Sequence, residues 1–112
     1  MNTNMTFDVE PAWKFIPESP TIEDIRAMVN ALSKEVREVQ VAVTVCEYSQ
    51  TGKNLAHVGE ELADVVTQAA TCFAAIESMP ECPIKDNFTE SCMAWVYHKN
   101  EARGYHNDET GV

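Results

Sequence analysis

What the sequence lacks narrows its class before any motif is considered. No apolar stretch approaches the roughly 18 to 20 residues needed to cross a bilayer, and the opening MNTNMTFDVE has neither the basic start nor the apolar run of a secretory leader. Basic residues are scarce, 8 against 18 acidic. The resulting formal charge of -10 opposes direct nucleic-acid binding unless cations intervene. Only 4 glycines and 5 prolines occur in 112 residues, 45% of which are hydrophobic, a balance that argues against disorder as the overall state. No Cys-x-x-Cys pair with flanking histidines is present, so the four cysteines read as reduced thiols. Cys46, Cys72 and Cys92 fall in helical patterns as core filling, and Cys82 falls in a loop as the most exposed of the four. A cytoplasmic protein without a membrane partner is the expectation these absences create.

What is present is helical periodicity. Residues 1–20 hold three prolines and mixed polarity, and read as an arm anchored by Trp13, Phe15 and Ile16. A helix is expected from Thr21 to about Glu47, with Pro20 suited to its start and Glu23 and Asp24 complementing its dipole. Its apolar positions Ile22, Ile25, Val29, Leu32, Val36, Val39, Val43 and Cys46 recur at steps of three and four, and Asn30 to Ser33 is a candidate bend. The turn chemistry of YSQTGKN then leads to a second helix over 54–77, striped by Leu55, Val58, Leu62, Val65, Ala69, Cys72, Phe73 and Ile76. Pro80 and Pro83 end it, and a third helix is expected from Ile84 to Arg103, striped by Phe88, Cys92, Trp95 and Val96 and stopped by Gly104. No coiled-coil heptad of useful length stands out. The reading is an all-α, antiparallel bundle of long helices over residues 21–105, followed by a flexible tail at 106–112. Three helices give a thin core, so association of two chains into a larger bundle is expected to cover the remaining apolar faces.

The chemistry concentrates in acids at helical spacing. Glu35 and Glu38 on the first helix, and Glu61 and Asp64 on the second, are each three apart, so each pair shares a face. All four border the apolar stripes, and if the helices pack side by side the four carboxylates meet at one seam. Carboxylates crowded in a partly dry place must take up protons, pair with bases or bind cations. An oxygen-only set favours a hard ion, Mg2+ first with Mn2+ as a substitute. Spacing alone fits a solvated surface equally well. On the third helix Lys99, Asn100 and Arg103 form a small basic group suited either to a polyphosphate or to the helix C-terminus.

The stretches SKEVREVQVAV, GEELADVVTQA and AWVYHKNEARGY together resemble the MazG-like all-α nucleoside triphosphate pyrophosphohydrolases, with their ExxE and ExxD motifs. The resemblance covers roughly Ile22 to Tyr105. It implies Mg2+-dependent cleavage of a (deoxy)nucleoside triphosphate to monophosphate and pyrophosphate. It also implies Glu35, Glu38, Glu61 and Asp64 as metal ligands, and Lys99, Asn100 and Arg103 as substrate contacts. Glu38 and Lys99 are then the candidate catalytic residues, for water activation and for charge on the phosphates. Lys34 stands where the family usually has an acid.

Two other readings compete. A noncatalytic acidic interaction protein, imitating the charge of DNA, fits the net charge but would spread its acids over exposed faces. A di-iron carboxylate bundle lacks its Glu-x-x-His pairs, and His57, His98 and His106 read as ordinary exposed residues. Tyr48, Trp95, Tyr97 and Tyr105 are candidates for base stacking, with core or interface packing as their commoner use.

Overall fold

The computed structural model describes Met5 and residues 7–106, and among these the regular structure is entirely helical. A 3₁₀ turn at Trp13–Phe15 precedes α1 (Ile22–Tyr48), α2 (Gly52–Glu77) and α3 (Phe88–Ala102). Among the described residues no helix is long and apolar enough to cross a membrane. Of the expected C-terminal tail, residues 107–112 lie outside the described residues, as do 1–4 and 6 of the arm.

Local chemistry sets the helix ends. The Thr21 hydroxyl accepts from the Asp24 N–H, and the Asp24 carboxylate accepts from the Thr21 N–H at 2.8 Å, a reciprocal capping box that starts α1. α1 then runs unbroken for 27 residues, about 40 Å. Asn30 to Ser33, a candidate bend or break, does not break the helix. The Thr51 hydroxyl accepts from the Asn54 N–H at 3.1 Å and starts α2, while the Asn54 side-chain amide donates to the Ser49 carbonyl and ties the short turn to the end of α1.

The two long helices pair along a seam. Apart from Asp24, the only residues of α1 that are not exposed are Ile25, Met28, Leu32, Glu35, Val39, Ala42 and Cys46, alternating in steps of three and four. On α2 the matching series is Asn54, Val58, Glu61, Val65, Gln68, Cys72 and Ala75. Ile25 and Met28, early in α1, share a buried cluster with Cys72 and Ala75, late in α2, and the Gln68 amide donates to the Met28 carbonyl at 3.3 Å. This is a heptad seam. The sequence reading missed it because Glu35, Asn54, Glu61 and Gln68 interrupt its apolar character. The expected α1 stripe is accordingly divided. Ile25, Leu32, Val39 and Cys46 face α2, whereas Ile22, Val29, Val36 and Val43 remain exposed.

The arm lies across the hairpin. Thr71, 1% exposed, accepts from the Ala12 N–H at 2.9 Å and donates to the Thr67 carbonyl at 2.9 Å, so its buried hydroxyl is satisfied. Ile16 packs on the Ile25–Cys72 cluster, but Trp13 and Phe15, expected as anchors beside it, stay exposed. Burial pushes the Cys72 thiol above its ordinary pKa, as suits a core cysteine.

α3 departs most from expectation. It starts at Phe88 rather than Ile84, and only its first turns meet the hairpin. The Glu77 carboxylate accepts from both the Thr89 N–H (3.1 Å) and hydroxyl (2.6 Å), and Phe73 meets Phe88 edge-on at 6.3 Å. Of the expected stripe, Phe88 and Cys92 are half-buried while Trp95 and Val96 are exposed. Cys92 is therefore not core filling, and Cys82 is half-buried rather than exposed. Gly104 stops the helix as expected. With φ +78 it lets its own N–H reach the Glu101 carbonyl (3.0 Å) and the Tyr105 N–H reach that of Asn100 (2.9 Å), a Schellman motif.

Candidate metal centre

Glu35 and Glu61 occupy seam positions that apolar residues fill elsewhere along α1 and α2, and both are half-buried. Glu38 and Asp64 follow them by three residues and flank the seam, exposed. One carboxylate oxygen from each of Glu35, Glu38 and Glu61 lies within 4.8 Å of the other two. Asp64 stands outside this trio, but its charge still acts on Glu35.

The crowding has an electrostatic cost. Partial burial pushes the Glu35 carboxyl above its ordinary pKa, and the charges of Glu38, Asp64 and Glu61 add to the effect. Protonated Glu35 can hydrogen-bond to Glu38, which also favours keeping the proton. Glu61 has the other unusual environment. Its side chain is 17% exposed, and Oε1 lies 3.6 Å from His57 Nε2, too long for a hydrogen bond. Its Oε2 is buried and has no hydrogen-bond partner. Among the described residues no lysine or arginine forms an ion pair with any of the four acids.

These features fit a hard cation. Oxygen donors within 4.8 Å of one another can share one ion whose bonds are roughly 2.0–2.6 Å long, and such an ion would satisfy the orphaned Oε2. The set is oxygen-only, which agrees with Mg2+ or Mn2+. Glu60, next in sequence to Glu61, is exposed and takes no part.

The structure brings the four acids into one electrostatic neighbourhood, and among the described residues no ion pair joins the basic group to them. Lys99 and Arg103 are exposed and Asn100 is half-buried, at the end of α3 remote from its packed first turn. Arg103 lies over the Tyr105 ring, 5.9 Å from its centroid. His57, expected as an ordinary exposed residue, stands close to Glu61, and its spacing of four before Glu61 is the sign of their proximity in the sequence. Tyr97 stacks on His106 at 4.6 Å, and its hydroxyl is raised above its ordinary pKa by a hydrogen bond to Glu101 and by that residue's charge. Tyr48, Trp95, Tyr97 and Tyr105 are all exposed, so none packs in the core of the single chain. Comparison of the chain with protein-family models, curated proteins and solved structures gives no match.

Proposed function

We propose that this protein is a Mg2+-dependent hydrolase that splits a (deoxy)nucleoside triphosphate into monophosphate and pyrophosphate, as the resemblance to MazG-like enzymes implies. The observation that carries the reading is the convergence of Glu35, Glu38 and Glu61 at the helix seam, with Glu61 Oε2 buried and unpartnered. An acidic decoy needs no carboxylate at a packing position, where it lowers stability without adding exposed charge.

Glu35, Glu38 and Glu61 would hold the ion, with Asp64 as a further ligand and Glu38 at the solvent edge. When bound, Mg2+ supplies charge neutralisation at the phosphates and acidifies a coordinated water. Glu38, the exposed member of the trio, would orient the attacking water and take its proton. Lys99, Asn100 and Arg103 are assigned to the substrate by the resemblance alone. They form no ion pair with the acids among the described residues, and the role is proposed to be played across an assembly. The chain is accordingly proposed to act as a homodimer or homotetramer, in which association completes the antiparallel bundle.

The test is a panel of canonical and damaged (deoxy)nucleoside triphosphates with Mg2+, reading out pyrophosphate and monophosphate together. Turnover of at least one substrate, abolished by chelation, is expected. Absence of turnover across the panel with Mg2+ and Mn2+ would remove the proposal. In the same assay Lys99→Ala is expected to raise KM while leaving Mn2+ binding unchanged.

A further inference from the structure

On both long helices the residue directly before a seam position lies on one side of the hairpin, and the residue directly after one lies on the other. Glu38 and Asp64 precede Val39 and Val65, and both act on Glu35. Asp24, Ala27, Ala31 and Lys34 likewise precede Ile25, Met28, Leu32 and Glu35, so the acids share their side with the first half of α1. A hollow of about 330 Å³ opens there. Ala27, Met28 and Ala31 of α1, Gln68 of α2, and Phe15 and Pro17 of the arm line it, with Asp24 as the charged residue of the lining. Ala31 stands seven residues before Glu38 and Gln68 seven after Glu61, which puts the hollow about 10 Å along the seam from the carboxylate trio. The larger hollow under the arm, about 580 Å³, is bounded on α2 chiefly by Gly59, Leu62, Ala63 and Val66, toward the other side of the seam.

The walls of the smaller hollow suit a flat ring that donates hydrogen bonds. Ala27 and Ala31, one turn apart, leave a strip of α1 without long side chains, and the Phe15 ring beside them is 64% exposed and open to stacking. The polar groups are acceptors. Asp24 engages Oδ2 with the Thr21 N–H and hydroxyl and keeps its other carboxylate oxygen. The Gln68 side-chain nitrogen donates to the Met28 carbonyl at 3.3 Å, which commits the nitrogen end of the amide and leaves its oxygen as an acceptor for a ligand. No lysine or arginine lines the hollow, so a phosphate would meet only the Asp24 charge there. Lys34, three residues beyond Ala31 and four short of Glu38, instead puts a cation between the hollow and the acids. Adenine and cytosine present an exocyclic N–H₂ donor to acceptors of this kind, whereas thymine presents a carbonyl oxygen at the corresponding place, which they repel.

We infer that this hollow receives the base of the nucleotide, and that Gln68 and Asp24 select a base with an exocyclic amino group, adenine or cytosine, over thymine. The inference rests on the nucleotide reading above and adds the substrate class to it, with the phosphates at the carboxylates and the base against Phe15 and Gln68. Its test separates binding from turnover. Calorimetry with Mg2+ uses the α,β-methylene analogues of dATP, dCTP and dTTP, in which the bond to be split is blocked, and the three parent triphosphates are followed for pyrophosphate release. The dATP or the dCTP analogue is expected to bind at least about tenfold more tightly than the dTTP analogue, the size of one hydrogen bond, with kcat/KM in the same order. Gln68→Leu should level the three affinities and leave Mn2+ affinity unchanged. Ala31→Leu, an exposed change that narrows the hollow, should weaken all three, whereas Ala63→Leu, at the larger hollow, should weaken none. If Gln68→Leu fails to fold, the wild-type base order and the contrast between Ala31→Leu and Ala63→Leu decide. Indifference to the base, preference for thymine, full binding by Ala31→Leu, equal loss in Ala63→Leu, or no binding of any analogue would overturn the base site. Binding in the expected order without pyrophosphate release would instead leave the base site standing and remove the hydrolytic reading.

Discussion

Two stretches of one seam, a heptad apart, use equivalent positions in opposite ways. At the start of α1, Met28 is buried with Ile25, Cys72 and Ala75 and is covered by Ile16 from the arm. Seven residues later the same register position holds Glu35, facing Glu61 across the seam. The first stretch stabilises the fold by removing apolar surface from water. The second weakens it, because it gathers carboxylates without a basic partner. Helix geometry supplies the placement in both, and only the residue type decides whether the position stabilises the hairpin or gathers carboxylates.

The sharpest way to break this comparison is chemical. Glu61→Gln or Asp64→Asn is expected to lower turnover by at least about 100-fold, with helicity nearly intact by circular dichroism. Ordinary Mg2+-dependent activity in either variant would show that the second stretch is not a metal site. Thermal unfolding then separates the two stretches by sign. Met28→Ala should cost about 2–5 kcal/mol through the cavity it leaves. Glu35→Leu should raise the Tm of the cation-free protein and abolish its response to Mg2+. A Tm lowered by both would mean that Glu35 contributes to packing as Met28 does.

The smallest expected effect lies in the pH dependence. Because the Glu35 carboxyl is raised above its unfolded value, the folded chain holds a proton that the unfolded chain has released. That contribution is fully present below the ordinary carboxylate range and is lost as pH rises through the raised value. Cation-free wild type should therefore lose Tm over that interval relative to Glu35→Gln. Mn2+ affinity, measured by calorimetry, should strengthen from about pH 4 toward 7 as the proton is displaced. A pH-independent affinity would separate Glu35 from the cation.

Much of this was legible from residue spacing. The steps of three and four placed α1 and α2 to within a few residues, and Thr21 with Asp24 carried the signal for where α1 begins. Glu35–Glu38 and Glu61–Asp64 were readable as pairs because three residues are nearly one helical turn. What spacing could not decide is which of two equally apolar rows on α1 faces α2. Ile25, Leu32 and Val39 repeat every seven residues just as Val29, Val36 and Val43 do, and the choice is made by tertiary contact. The course of α3 was illegible for the same reason. Its length and its Gly104 stop are local properties, but whether Lys99 reaches the acids depends on contacts that helical period does not encode.

The Thr71 hydroxyl, which receives the Ala12 amide, has one more consequence. Replacing Thr71 with valine would loosen the tie at the Ile25–Cys72 end of the hairpin, whereas cutting the chain after Ala12 would also remove Phe7 and Val9, which line a hollow with Gly59, Leu62 and Val65 on either side of Glu61. A protease that clips the arm would thus lower resistance to heat and uncover the neighbourhood of Glu61 in the same event.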